Sequence, residues 1–383
     1  EDSLREAVSI RIPRKVPYAA LLSGGLDSSL VAALAAQEGP IRSYCIGYEG
    51  YAKYDERAYA REAADFIGSD HREVIFGKED FFRHIEESLE RLDEPMADPA
   101  LLPLSHMMEQ IAEEEIKVVL TGDGSDELFL GYKNYFEQAD VEQAASLKHK
   151  NWLKNYFKSH FSLHREWEWY KRIFEGTLLF RSSAELFTDL QQNRLLKTNI
   201  RDNHSLESIG HYREEFEACG RSAVADWYSY LDLRVMLGEV FLKKLDRVSM
   251  FSGIEARTPF LDRAVVAAAF AIDPERRMGS RQKHLIKAIA QDYLPPAIID
   301  RKKKGFNYPF LEWLLEENAL GVIETVQKET RLFHDAHLHY LLEKGKQGMF
   351  RQQLFSLFML CKWIAAKGIH GDGSHREATL RYR

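Results

Sequence analysis

Val16-Pro-Tyr-Ala-Ala-Leu-Leu22-Ser23-Gly24-Gly25-Leu26-Asp27-Ser28-Ser29 decides the fold, because within it an apolar run stops, a small polar loop follows and a helical pattern begins. The run from Val16 to Leu22 is short and apolar, with Pro17 confined to its start, which is how a buried strand of a parallel sheet reads. Helix formers then continue to Gln37, ahead of Gly39-Pro40. Gly24 and Gly25 permit the turn and let backbone amides approach a ligand closely. Those amides, the Ser23 and Ser28 hydroxyls and the free N–H groups of the helix start converge on one point, which favours an anion.

The loop is not a Walker loop: Gly-x-x-x-x-Gly-Lys-Ser/Thr is absent and no lysine lies inside it. It carries Asp27 instead. A carboxylate facing bound phosphate is repelled unless a hard cation lies between, so Asp27 reads as a ligand of Mg²⁺ carried in with a nucleotide. The plainer account is a glycine turn before an ordinary helix, but the full Ser-Gly-Gly-Leu-Asp-Ser-Ser string is more specific than that. It resembles the pyrophosphate loop of ATP pyrophosphatases, which split ATP between its α- and β-phosphates to adenylate a substrate.

Outward from this loop the chain alternates strands and helices. Ile41 to Ile46 reads as a second strand, Tyr54 to Ile67 as a helix closed by Gly68, His71 to Phe76 as a third strand, and Glu79 to Leu92 and Leu102 to Glu115 as helices. Lys117 to Thr121 is then a fourth strand. This alternation predicts an α/β fold, a doubly wound parallel sheet with ligands at the carboxyl ends of its strands. The fourth strand ends in Thr121-Gly122-Asp123-Gly124-Ser125-Asp126-Glu127-Leu-Phe-Leu-Gly131-Tyr132, which repeats the logic of the first loop. Asp126 is expected as the second Mg²⁺ ligand. One such turn could be first-turn acids favouring a helix dipole; two of them after parallel strands argue for a shared ligand.

The expected organisation is a core over 1–140, a helical insertion over 141–225, a helical remainder over 226–370 and a frayed polar tail over 371–383. From Lys148 to Arg172 there are seven Lys or Arg against two Glu, interleaved with aromatics. That pattern can bind RNA, but the net charge of −7 gives the chain no general pull towards nucleic acid, and a helical hairpin with core aromatics is the simpler reading. His334, His337 and His339 lack further partners at ligand spacing beyond Asp335 and read as surface. Glu255 and Arg257 lie two apart, so an extended backbone puts them on one face, either as substrate contacts or as a structural ion pair. Arg301-Lys-Lys-Lys-Gly305-Phe306 is a basic loop; a lysine aimed at the phosphates would offset charge on departing pyrophosphate.

A hydrophobic fraction of 45% beside 29% charged residues describes a soluble globular chain, long enough for one large core or two ordinary ones. No apolar stretch approaches the ~18 residues of a membrane span, and no signal-peptide pattern opens the sequence, so a cytoplasmic location is expected. Cys45, Cys219 and Cys361 are odd in number and far apart, which suits reduced thiols.

Together these motifs resemble the synthetase half of the glutamine-dependent asparagine synthetase family, from the opening helix to about Lys367. Four blocks carry the likeness: Ser23 to Ser29, Thr121 to Tyr132, Asp246 to Asp262, and Arg301 to Phe306. The resemblance implies an adenine nucleotide alpha hydrolase-like (PP-loop) fold with ATP and Mg²⁺ as cofactors. It implies Leu21, Ile46, Thr121 and Gly122 at the nucleoside, Ser23, Gly24, Gly25, Asp27 and Ser28 at the pyrophosphate, and Asp27 and Asp126 on Mg²⁺. Asp123, where many members have Glu, would serve acyl-adenylate formation, and Lys303 would be the catalytic lysine, with Lys302 and Lys304 as neighbouring registers. Ser125, Glu255 and Arg257 are the substrate candidates. The implied reaction adenylates a carboxylate, in the main case the side chain of aspartate, and passes ammonia to it. Relatives use the same chemistry in β-lactam, peptide or sugar-acid amidation. The family's glutaminase domain, with its N-terminal cysteine, has no counterpart in this sequence, which opens at Glu1 where an interdomain linker would lie. A glutaminase domain of a longer polypeptide or a separate subunit is therefore the expected partner. A homodimer is compatible with the sequence, which does not set the oligomeric state.

Overall fold

The structure is a computed structural model that describes residues 1–48, 50–137, 148–161, 165–174, 185–198, 200, 204–301 and 307–368. The expected tail, 371–383, and the lysines Lys302, Lys303 and Lys304 lie outside the described residues. No described helix is long and apolar enough to cross a membrane.

Five strands form one sheet: β1 (Tyr18–Leu21), β2 (Arg42–Gly47), β3 (Asp70–Ile75), β4 (Val118–Leu120) and β5 (Glu255–Arg257). Every neighbouring pair is parallel, in the order β3-β2-β1-β4-β5. The intervening helices are α1 (Asp2–Ser9), α2 (Leu26–Gln37), α3 (Arg57–Ile67), α4 (Lys78–Arg91), α5 (Leu101–Glu113) and α6 (Ser125–Leu128). The fold is the expected α/β class. β5 adds an edge strand that no apolar run in Glu255-Ala-Arg257 announces; it is held by register with Val118, Val119 and Leu120.

The strand order reverses between β1 and β4, where Ala20 pairs with Leu120. In an open parallel sheet, connections leaving two adjacent strands in opposite directions open a crevice at their carboxyl ends. Both glycine-acid turns follow these two strands.

The helix behind the first turn is enclosed by others. α2 is apolar on nearly every side because it is surrounded: Leu30, Val31, Ala32, Leu34 and Ala35 are all buried. It packs against α1, α3 and the helices His284–Ala290 and Pro296–Ile299. At the opposite edge, β3 is charged and half exposed, with Arg42 and Arg72 on Asp70, and Arg57 and Arg61 on Glu73. Charged side chains suit a strand with no outer neighbour.

The chain divides into two compact units, one of Glu1–His84, Ala100–Glu185 and Ser205–Tyr308, the other of Ile85–Pro99, Leu186–His204 and Pro309–Arg383. The first holds the sheet and a further core around Tyr135, Phe216, Trp227 and Tyr228. The helices Lys150–Phe161 and Arg165–Phe174 pack on each other. Trp152 and Tyr156, expected in a core, are exposed and stack together with ring centroids 5.8 Å apart. In the second unit, Gly321–Thr330, Asp335–Lys346 and Arg351–Ala366 bury Ile323, Val326, Leu338, Leu341, Leu354 and Phe358. His334 and His339 are exposed, as surface residues should be. The three cysteines are free thiols; burial pushes Cys45 and Cys361 up to about 12.

Candidate active site at the strand reversal

The first turn is set by a glycine that nothing can replace. Gly24 has φ +69°, and a Cβ there would meet the backbone of Tyr59 and Ala60 at 2.5–2.6 Å. Around it the Ser23 amide lies 3.3 Å from Ser28 Oγ, the two hydroxyl oxygens are 3.1 Å apart, and the Gly25 amide donates to Ser23 Oγ over 3.3 Å. Gly25 is the N-cap of α2. Amides and hydroxyls are thus grouped at a helix start, the arrangement that receives an anionic oxygen. Leu21 and Ile46, at the ends of adjacent strands, are half-buried beside this turn.

The second turn touches the first. A Cβ on Gly122 would lie 2.8 Å from the Ser28 amide and 3.0 Å from Asp27, so the two loops are in backbone contact because residue 122 has no side chain. Its three acids have three different environments. Asp123 accepts a 2.6 Å hydrogen bond from Thr121 Oγ1 and stays partly exposed. Asp126 points to a lysine described below. Glu127 is buried and accepts from Tyr132 Oη over 2.7 Å. Burial, with Asp126 close by, pushes its carboxyl up to about 8.

Asp27 and Asp126 come from turns 99 positions apart, each the second residue of its helix, yet their carboxylates meet one cation, Lys283. Its Nζ contacts Asp27 Oδ2 and lies 2.6 Å from Asp126 Oδ1. Ser125 Oγ donates to the other oxygen of Asp27 over 2.6 Å, across 98 residues of sequence. The lysine is buried; burial works against its charge, but the two carboxylates more than offset it and hold the ammonium above its ordinary value. Lys283 has φ +53° and precedes the helix His284–Ala290, a position where a cation opposes the helix dipole. Gly131 leaves the room: a Cβ there would overlap Asp126 and Lys283. The sequence marks Lys283 only as the start of a helix, and no local signal joins it to residues 27 and 126.

The converging set of two carboxylates and a serine hydroxyl is hard and oxygen-based, which fits Mg²⁺. Nearby, Arg301 Nη1 donates to the Ser23 carbonyl over 3.3 Å, pairs with Glu56 and covers the Tyr59 ring at 3.9 Å. Tyr308 stacks on Tyr48, just beyond β2, with centroids 5.7 Å apart. Arg301 and Tyr308, one on each side of residues 302–306, are therefore both anchored at the carboxyl ends of β1 and β2.

Glu255 and Arg257 share a face of β5 and pair with each other at 3.0 Å, while Arg257 Nη1 donates to the Arg11 carbonyl over 2.7 Å. Arg11 in turn holds Asp262 at 2.8 Å. Thr121 is buried next to this edge, its amide bonded to the Arg257 carbonyl over 2.9 Å, and Ser125 is buried against Asp27.

The Asparagine synthase family model matches residues 1–365. Among curated relatives, the chain is 26% identical over 353 residues to "Asparagine synthetase [glutamine-hydrolyzing] 1" of Bacillus subtilis (strain 168), covering 89% of this chain and 54% of that protein. It is 29% identical over 377 residues to "Putative asparagine synthetase [glutamine-hydrolyzing]" of Mycobacterium tuberculosis (strain ATCC 25618 / H37Rv), covering 94% and 56%. The chain thus spans about half the length of the curated relatives it matches. With the parallel sheet, the paired turns and a family match across nearly all its length, the chain belongs to the asparagine synthase family.

Proposed function

We propose that this chain is the synthetase part of an ATP-dependent amide-forming ligase that adenylates the side-chain carboxylate of aspartate and transfers ammonia to it, giving asparagine and AMP. The observation that carries this reading is the convergence of Asp27 and Asp126 on one cation at the strand reversal. Two anions, a carboxylate and a triphosphate, react only where positive charge offsets theirs, and two carboxylates turned onto one point are what would gather a cation there.

In this reading the Ser23–Ser28 turn binds the departing pyrophosphate through its amides and hydroxyls, while Leu21, Ile46, Thr121 and Gly122 border the nucleoside. Asp27 and Asp126 would hold Mg²⁺, which would supply charge to offset that of the phosphates. Lys283 then exchanges its carboxylate partners for phosphate oxygens. A substrate carboxylate oxygen attacks the α-phosphorus; the bond from that phosphorus to the bridging oxygen breaks and pyrophosphate leaves. Lys303, on the loop bracketed by Arg301 and Tyr308, is assigned to the charge of that transition state, and Asp123 to the acyl adenylate. Ammonia then attacks the acyl carbon, the carbon–oxygen bond to AMP breaks, and a proton is lost to give the amide. Ser125, Glu255 and Arg257 are the residues assigned to the substrate. The curated relatives are named glutamine-hydrolyzing and are about twice as long, so a glutaminase domain in the same polypeptide or a separate subunit is proposed as the ammonia source.

The test is pyrophosphate release from MgATP with aspartate, with and without ammonium, beside other carboxylic acids and glutamine. Aspartate-dependent release, with asparagine formed only when ammonium is present, is the expected result. Release with a different acid would replace the substrate and keep the adenylation; release with none would overturn the proposal.

A further inference from the structure

A second convergence of donor atoms lies past β3, away from the strand reversal. Asp80 and His84 stand one turn apart on α4, and His106 and Glu109 one turn apart on α5. Spacings of i,i+4 and i,i+3 put each pair on one helix face. His84 and His106 are buried. His84 Nε2 is 3.3 Å from His106 Nδ1 and 3.6 Å from Glu109 Oε2, and Asp80 Oδ1 is 3.7 Å from His106 Nδ1.

The outer atoms of the same groups are fixed for the purpose. His106 Nε2 is 3.1 Å from the Ile75 carbonyl oxygen, which can only accept, so Nε2 carries the proton and Nδ1 turns a lone pair inward. A backbone carbonyl on the far nitrogen is the ordinary support of a metal-bound imidazole. Asp80 Oδ2 accepts from the Gly77 amide over 3.1 Å, which orients its other oxygen.

One nitrogen sits at the focus of all four groups. Arg83 Nη2 lies 3.0 Å from His84 Nε2, 3.3 Å from His106 Nδ1, 2.9 Å from Glu109 Oε2 and 3.6 Å from Asp80 Oδ1. A guanidinium only donates, so the inward atoms are all acting on a cation. The arginine side chain is 40% exposed, which gives it a route out to solvent. Two imidazole nitrogens with two carboxylate oxygens form the borderline set that zinc and its first-row neighbours take. We propose that Asp80, His84, His106 and Glu109 form a binding site for a first-row divalent cation of the Zn²⁺ type, with Arg83 the resident cation that yields to it. The Phe76 ring connects this cluster to the adenylation face: its centroid is 5.5 Å from that of His106 and 5.8 Å from that of Tyr308.

Titrating the whole chain with Co²⁺, followed by visible absorption and displaced by Zn²⁺, tests the site. One equivalent with tetrahedral absorption is expected. Arg83→Met should bind about tenfold more tightly, because a competing charge is gone, whereas a purely structural arginine would leave metal affinity unchanged or lower. Glu109→Gln, at a partly exposed position, should weaken binding at least roughly 10–100-fold, the loss that removing even a supporting partner causes, and His106→Ala should abolish the absorption. Absence of stoichiometric Co²⁺ binding in both the parent chain and Arg83→Met overturns the proposal. So does binding that Glu109→Gln and His106→Ala leave intact, since it would belong to other groups such as Asp27 and Asp126.

Discussion

The two glycine-acid turns read alike in sequence and differ in structure. In the turn at Ser23–Ser28 a single acid, Asp27, stands among serines at the start of a helix enclosed by four others. In the turn at Thr121–Tyr132 three acids are divided between a threonine, a lysine and a tyrosine. The first turn groups backbone amides and serine hydroxyls beside one carboxylate. The second distributes its charge, and only Asp126 faces the shared cation. Spacing along the chain therefore identifies a site, whereas the environment of each carboxylate decides which one acts.

The largest expected effect comes from breaking the shared cation site. Asp27→Asn and Asp126→Asn should each lower aspartate-dependent pyrophosphate release by about 10²–10³, the usual loss for one preorganised contact to transition-state charge. Asp123→Asn should leave the contact with Lys283 in place. Lys303→Ala should fall in the same range while ATP binding, measured by equilibrium titration, persists; normal release by that variant would remove Lys303 from the mechanism.

Next is the contact between the turns. Gly122→Ala places a methyl 2.8 Å from the Ser28 amide, and an overpacked backbone contact costs about 1–3 kcal/mol. Chemical denaturation should show that loss together with weaker ATP binding. An unchanged midpoint would mean that the loops separate freely.

The buried acid of the second turn gives a pH signature. Between its ordinary 4.5 and about 8, folded Glu127 keeps a proton that the unfolded chain has released. Stability from this group is therefore present at low pH and lost as pH rises through that window. Glu127→Gln should flatten the decline and be more stable than the parent above pH 8, where the parent must ionise a buried carboxyl. Parallel stability curves for the two proteins would contradict this.

The smallest effect is expected at the sheet edge. Glu255 is 63% exposed in its pair with Arg257, and exposed pairs contribute about 0–1 kcal/mol. Glu255→Gln should barely move stability, so a rise in KM for aspartate would isolate its assignment to the substrate.

Much of this comparison was legible in the sequence, for physical reasons. β1 and β4 are announced by short apolar runs followed by glycine and acid, and α2 by an apolar segment of helix length. β5 carries no such run, because Glu255-Ala-Arg257 lies at the sheet edge and is held by backbone pairing to β4. Lys283 was hidden for another reason: its pairing with Asp27 spans 256 residues, and its left-handed backbone depends on packing around Gly131 and Asp126 rather than on local propensity. The fates of Asp123, Asp126 and Glu127 were equally illegible, since their partners Thr121, Lys283 and Tyr132 separate three acids that stand within five positions of one another. Exposure of Trp152 and Tyr156 departs from the core role their aromatic character suggested.

The central claim is that Asp27 and Asp126 act as one site. Its most direct test is a double-mutant cycle on aspartate-dependent pyrophosphate release from MgATP, comparing the parent chain, Asp27→Asn, Asp126→Asn and the double variant. Two ligands of one cation are expected to be strongly coupled, so the double variant should lose little more than either single one. Losses that multiply independently would show that the two carboxylates serve separate ends and would contradict the account.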